Sequence, residues 1–207
     1  METAGSSALA DTRSRQTATR VAYDVLLDAA RSCVLAVGVR RTTLAEIART
    51  ARVSRMTVYR RFPDVRSVLA ALMTREFSGL LRTASEGGAD AATSRDRLVL
   101  IAAAGVRALS TDPLFRTLLD VDPELVLPYI VERLGATQKF AEQALHGLLE
   151  AGHQDGSIRR APVAVQSRSV LLVVQSFAFS LRPATVDVDE AALMAEFTHV
   201  LDAALRP

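Results

Sequence analysis

Apolar residues recur three and four positions apart along most of the 207-residue chain, and no stretch keeps a clean alternation between turn signals, so the sequence reads as helical throughout. From Arg20 to Val37, the positions Val21, Val25, Leu26, Ala29, Ala30, Cys33, Val34 and Val37 form one stripe, which predicts a first helix ending at Gly38. Thr43 then caps a helix starting at Leu44, with Glu46 placed to reach back in a capping box and Ile47, Ala48 and Ala51 on the buried side. Arg52-Val53-Ser54 makes a three-residue turn, and Ser54 caps a short helix from Arg55 to Phe62. Pro63-Asp64 stops that helix and caps a longer one through Leu69, Leu72, Met73, Phe77 and Leu80 to about Ala84. A small and polar run over 86–93 is the clearest linker. Beyond it the pattern predicts helices at about 95–110, 112–120, 124–134, 136–153, 162–181 and 188–205, bounded by Asp112-Pro113, Asp122-Pro123, Gly135, Gly152 to Gly156, Pro162 and Pro183. The expected fold is all-α with about nine helices: a polar, disordered arm over 1–17, a three-helix domain over 18–65 and a larger helical domain over 66–207.

Composition narrows the class. Apolar residues make up 49% of the chain, enough for a sizeable core. Cys33 is the single cysteine, which excludes an internal disulfide and a cysteine-based zinc site and points to a cytoplasmic location; on its apolar stripe it reads as a small core residue rather than a redox group. Val163 to Leu181 is the stretch richest in large apolar residues, but Gln166, Arg168, Gln175 and four serines interrupt it, so it is expected to fall short of a membrane span. The first fifteen residues have no apolar core of a signal peptide, and no membrane partner is expected. The net charge of +2 hides an asymmetry: residues 1–75 hold thirteen Arg against six acids, a net of +7, and residues 76–207 carry −5. A basic first third joined to an acidic remainder predicts that the first part meets a polyanion.

The motif over 43–62 says which polyanion. Two short helices joined by a three-residue turn, the second polar and basic on one side, fit a helix-turn-helix, whose second helix lies in the major groove of DNA. Val53, Val58 and Phe62 can face inward while Arg55, Thr57, Tyr59 and Arg60 or Arg61 face out. Arg52, Arg55, Arg60 and Arg61 cluster where phosphates would run, and Thr43 can offer its hydroxyl to another phosphate.

The stretch TTLAEIARTARVSRMTVYRRFPDVRSVL resembles the DNA-binding domain of the TetR family of bacterial repressors. The matching positions are Thr43, Ile47, Ala48, Ala51, Val53, Ser54, Thr57, Tyr59 and Phe62, and the likeness covers about residues 20–85. The resemblance implies a homodimer that binds a palindromic operator, with a carboxy-terminal domain that takes a small-molecule inducer and forms the dimer interface. It gives Tyr59 and Thr57 the phosphate and thymine-methyl contacts, while Arg55 is placed to read guanine bidentately and Arg61 to position on a phosphate. Three positions depart from the family pattern. Arg52 stands where Gly is usual, so a residue with a side chain is expected at positive φ, at a cost of about 1 kcal/mol. Arg61 replaces a His, and Val65 replaces a Lys after the fourth helix's cap, leaving that phosphate to the neighbouring Arg66.

In the second domain, Val170 to Val174 with Phe177 and Phe179 is apolar all round, and the last helix carries Leu193, Phe197, Val200, Leu201, Ala204 and Leu205 on one stripe. Leu172, Phe179, Leu193, Phe197, Val200 and Leu201 are therefore the expected dimer interface. Phe77, Phe115, Tyr129, Phe140, Gln143 and Gln175 are the candidate lining of an effector pocket, and the scarcity of charge around them predicts a largely apolar ligand. Glu142, His146, Glu150 and His153 share one helix side, but a carboxylate-bridged metal site needs the same unit from a second helix, so neither metal nor cofactor is expected. An enzyme and a helical scaffold are the rival classes. The chain has no G-x-S-x-G, P-loop or G-x-G-x-x-G, and the helix-turn-helix favours a non-enzymatic, DNA-binding regulator.

Overall fold

The structure, a computed structural model, describes residues 23–207. The expected arm over 1–17, its arginines and Val21 lie outside the described residues. The chain divides into two compact units between Leu72 and Met73. No strand occurs among the described residues.

In the first unit, α1 (described over 23–37), α2 (Leu44–Thr50) and α3 (Arg55–Tyr59) close around Leu26, Leu27, Ala30, Val34, Leu44, Ile47 and Val58, all nearly inaccessible to water. Cys33 is buried beside the Thr50 hydroxyl at 3.5 Å, as a core residue. Thr43 caps α2 by accepting from the Glu46 amide at 3.1 Å. The Glu46 carboxylate accepts from Arg49 instead of closing the expected box, because the i+3 guanidinium offers it a charged partner. Ser54 caps α3 by accepting from the Thr57 amide. Helix α3 is three residues shorter than the periodicity predicts: Arg60 and Arg61 form a turn, and Pro63 disfavours the α conformation at Phe62.

Helix α4 (Val65–Glu86) contains the division between the units, and Asp64 caps it by accepting from the Ser67 amide at 2.7 Å. In the second unit α5 (Ser94–Thr111) packs against α8 (Ala136–Gln154), α9 (Val163–Ala184) and α10 (Glu190–Leu205). Their shared core includes Leu98, Ala102, Val106, Leu149, Val170, Leu171, Met194 and Phe197. Between α5 and α8, the chain forms α6 (Pro113–Val121), a 3-10 turn at Pro123–Leu125 and α7 (Leu127–Val131). This corrects the single helix expected over 124–134: Pro128 has no N–H to give an ongoing ladder and starts a new helix instead. Helix α9 also runs past its expected end, through Pro183, which sits in the last turn where only one ladder bond is lost.

By length and composition alone helix α9 is apolar enough to cross a membrane, but only weakly so, and it makes no clear membrane span. In this unit it is a packed helix. Gln166 and Ser167 are buried, and the Gln166 amide is held at both ends, donating to the Arg159 carbonyl at 3.0 Å and bonded to His153 Nε2 at 2.8 Å.

Candidate nucleic-acid interface

The turn between α2 and α3 is set by backbone geometry that the sequence foreshadows. Arg52 adopts φ 55°, the left-handed region where glycine is at ease, and Val53 N–H then donates to the Ala48 carbonyl at 3.0 Å. That reversal brings Ser54 into position as the N-cap of α3. Ser54 Oγ takes the Thr57 amide at 3.1 Å and lies 2.8 Å from the Thr57 hydroxyl, so Thr57 is tied to the helix start.

Val58 is fully buried and Phe62 nearly so, which fixes the rotation of α3. Arg55, Met56 and Tyr59 of α3 are exposed, as are Arg60 and Arg61 in the turn that follows; Met56 is 74% and Tyr59 52% exposed. An aromatic ring half in water, next to exposed guanidinium groups, is an arrangement that a polyanion with stacked bases can engage. Thr43, Arg52, Ser54 and Arg66 are also exposed. Arg61 has a partner that the sequence reading misses: its guanidinium lies 5.1 Å over the ring of Tyr23 in α1, and that ring packs on Phe62 at 5.6 Å.

In the second unit the candidate effector residues separate. Phe77 meets Phe115 edge-on at 5.5 Å, and Phe115 meets Phe179 at 5.3 Å, so three rings from α4, α6 and α9 form one ladder. Phe179 thus faces its own unit. Tyr129 and Gln175 are brought together through Gln138, which donates to the Tyr129 carbonyl at 2.8 Å and to Gln175 Oε1 and accepts from the Gly135 amide at 2.7 Å. Gln138 escaped the sequence reading because it lies 37 residues from Gln175. Phe140 and Gln143 are exposed on α8 and join neither group.

The residues expected at a dimer face also divide. Phe197 and Leu201 are buried within their unit, with the Phe197 ring tilted against Phe177 at 4.5 Å, and Leu193 is packed against the same core. Helix α10 uses Met194, Phe197, Leu201 and Leu205 as its inner face, the i, i+3, i+4 spacing that a single stripe dictates. Leu172 and Val200 stay about half exposed, as does Val165. On α8, Glu142 accepts from Arg168 at 2.7 Å, His146 pairs with Glu150 at 3.5 Å and His153 bonds Gln166. Those side chains are engaged with protein groups.

Residues 26–72 match the family model of bacterial regulatory proteins, tetR family. Helix-turn-helix-type transcriptional regulators of Mycobacterium bovis and Mycobacterium tuberculosis, themselves uncharacterized, are 40% identical over 177 residues, which is 86% of this chain and 90% of theirs. Among solved structures, a TetR-family transcriptional regulator from Pectobacterium atrosepticum superposes with a TM-score of 0.69 at 16% identity, over 90% of this chain and 93% of that one. The regulator FadR of Bacillus subtilis, solved in complex with stearoyl-CoA, gives 0.63 at 18% identity, over 89% of this chain and all of that one (100%). At such identities the likeness to these structures speaks for the fold.

Proposed function

The chain belongs to the TetR family of bacterial regulatory proteins and is a transcriptional regulator rather than an enzyme; from that premise we propose that it is a cytoplasmic, homodimeric repressor released from a palindromic operator by a largely apolar small molecule. The observation that carries the proposal is that Arg55 and Tyr59 stand exposed on α3, a helix whose rotation is fixed by buried Val58, and Arg60 in the turn after it. In this reading Arg55 reads a guanine edge, and Tyr59 and Thr57 make the phosphate and thymine-methyl contacts. Thr43, Arg52, Ser54, Arg60, Arg61 and Arg66 hold phosphates and set the register.

Two copies place their α3 helices in successive major grooves, about 34 Å apart. Leu172 on α9 and Val200 on α10, with Val165, supply the apolar surface for the second copy. The Phe77–Phe115–Phe179 ladder and the Tyr129–Gln138–Gln175 group supply apolar wall and polar handles for an effector. The stearoyl-CoA bound by FadR of Bacillus subtilis makes a long acyl chain a reasonable first ligand to test. An effector weakens operator binding only by preferring the state in which the two α3 helices are wrongly spaced. Selection of bound duplexes from a random pool tests the reading: a consensus with two inverted half-sites is expected, and enrichment of no sequence contradicts it.

A further inference from the structure

Tyr23 is placed by the fold where the recognition helix ends. Its ring is half-buried, one side against Phe62, which is 5% exposed, and the Arg61 guanidinium lies over it at 5.1 Å. Arg61 itself lies in the turn after α3, where the Arg61 N–H at 2.9 Å and the Phe62 N–H at 2.8 Å both donate to the Val58 carbonyl. Among the described residues no carboxylate pairs with Arg61.

We infer that Tyr23 is a positioning residue for DNA binding, an aromatic platform that holds the Arg61 guanidinium ready for a phosphate. A guanidinium held over a ring face spends none of its N–H donors on that contact and keeps them for phosphate oxygens. A carboxylate partner would occupy those same donors and cancel the charge. The contact also restricts a long side chain before binding, so less freedom is lost when the phosphate arrives. A Lys at 61 would lack the planar face, and the cation depends on a ring some forty residues earlier in the chain, which is why local pattern does not reveal the pair. The inference rests on the DNA-binding reading above, with Arg61 as one of its phosphate contacts.

The test is a titration of the full chain against a duplex carrying the consensus recovered from the random pool. Tyr23→Leu is expected to weaken binding about two- to fivefold, what one exposed cation–π contact supplies, while Tyr23→Phe binds as wild type does. In an Arg61→Ala background, Tyr23→Leu is expected to change nothing further. An equal loss in both backgrounds, or no loss in either, overturns the inference. Should Tyr23→Leu fail to fold, phenylalanine with one, two and three ring fluorines at position 23 carries the test: affinity falls with each fluorine if the ring holds the cation, and stays constant if the ring only packs. Failure of the wild-type chain to bind any selected duplex would bring down the DNA-binding reading itself. Loss of binding in Tyr59→Ala but not in Arg61→Ala would leave that reading standing and remove this one.

Discussion

Arg52 shows how much a single backbone angle can decide. At φ 55° its Cβ crowds the following carbonyl, yet the turn that brings Ser54 to the head of α3 requires that angle. Arg52→Gly is therefore expected to stabilise the protein by about 1 kcal/mol, raising the melting temperature by ~2–4 °C. The same change removes a cation beside α3, so operator binding should weaken and its dependence on log salt should flatten by about one phosphate contact. Opposite signs in a thermal melt and a binding titration check both halves. Gly152 is the reverse case: it lies in α8 against Ile158, and a Cβ there would overlap the Ile158 side chain. Gly152→Ala should cost about 1–3 kcal/mol in denaturant unfolding despite the better helix propensity of Ala. The sequence announces Arg52, since its neighbours define the turn, but Gly152 acquires its meaning only when the chain folds Ile158 back onto α8.

At the scale of elements, local signals were legible and distant ones were not. The caps at Thr43, Ser54 and Asp64 act over three residues, and each accepts the amide that its spacing predicts. Prolines 63 and 128 also act locally, the first beside the short end of α3 and the second at the start of α7. The Ala-rich α10 offers several apolar faces, and its neighbours place Phe197 and Leu201 in the core of the unit while Val200 stays half exposed. The start of α5 is a purely tertiary device. Asp155, 61 residues later, accepts from the Ser94 amide at 2.9 Å and from the Ser157 amide at 2.8 Å, and Arg95 pairs with Asp202 at 2.7 Å. Hydrogen bonds from Ser157 and Ser94 hold the Asp155 carboxyl far below the usual carboxylate range. Burial pushes Asp202 up, but Arg206 and Arg95 outweigh it and the net shift is downward. Both folded-state values lie below the unfolded ones, so the stability they contribute is complete above about pH 4 and is lost as pH falls through the depressed values. Denaturant midpoints taken from about pH 7 down to 3 should show wild type losing stability in acid, with Asp155→Asn less stable at neutral pH and a shallower acid decline below about pH 4. Parallel curves for the two proteins would contradict the role given to Asp155.

For the whole molecule, the charge split and the fold divide the chain alike, with the +7 of residues 1–75 falling mainly on the unit that carries α2 and α3. A reader of DNA gains affinity by releasing counterions from phosphates, so binding should fall steeply with salt. The base-reading step is narrower and rests on the exposed side of α3, which is why the decisive measurement is a mobility-shift titration of Arg55→Ala and Tyr59→Ala against the selected duplex. Each substitution should weaken binding by about 1–3 kcal/mol, roughly tenfold or more, with the oligomeric state and the melting temperature unchanged. Variants that hold the duplex as tightly as wild type would show that α3 does not enter the groove.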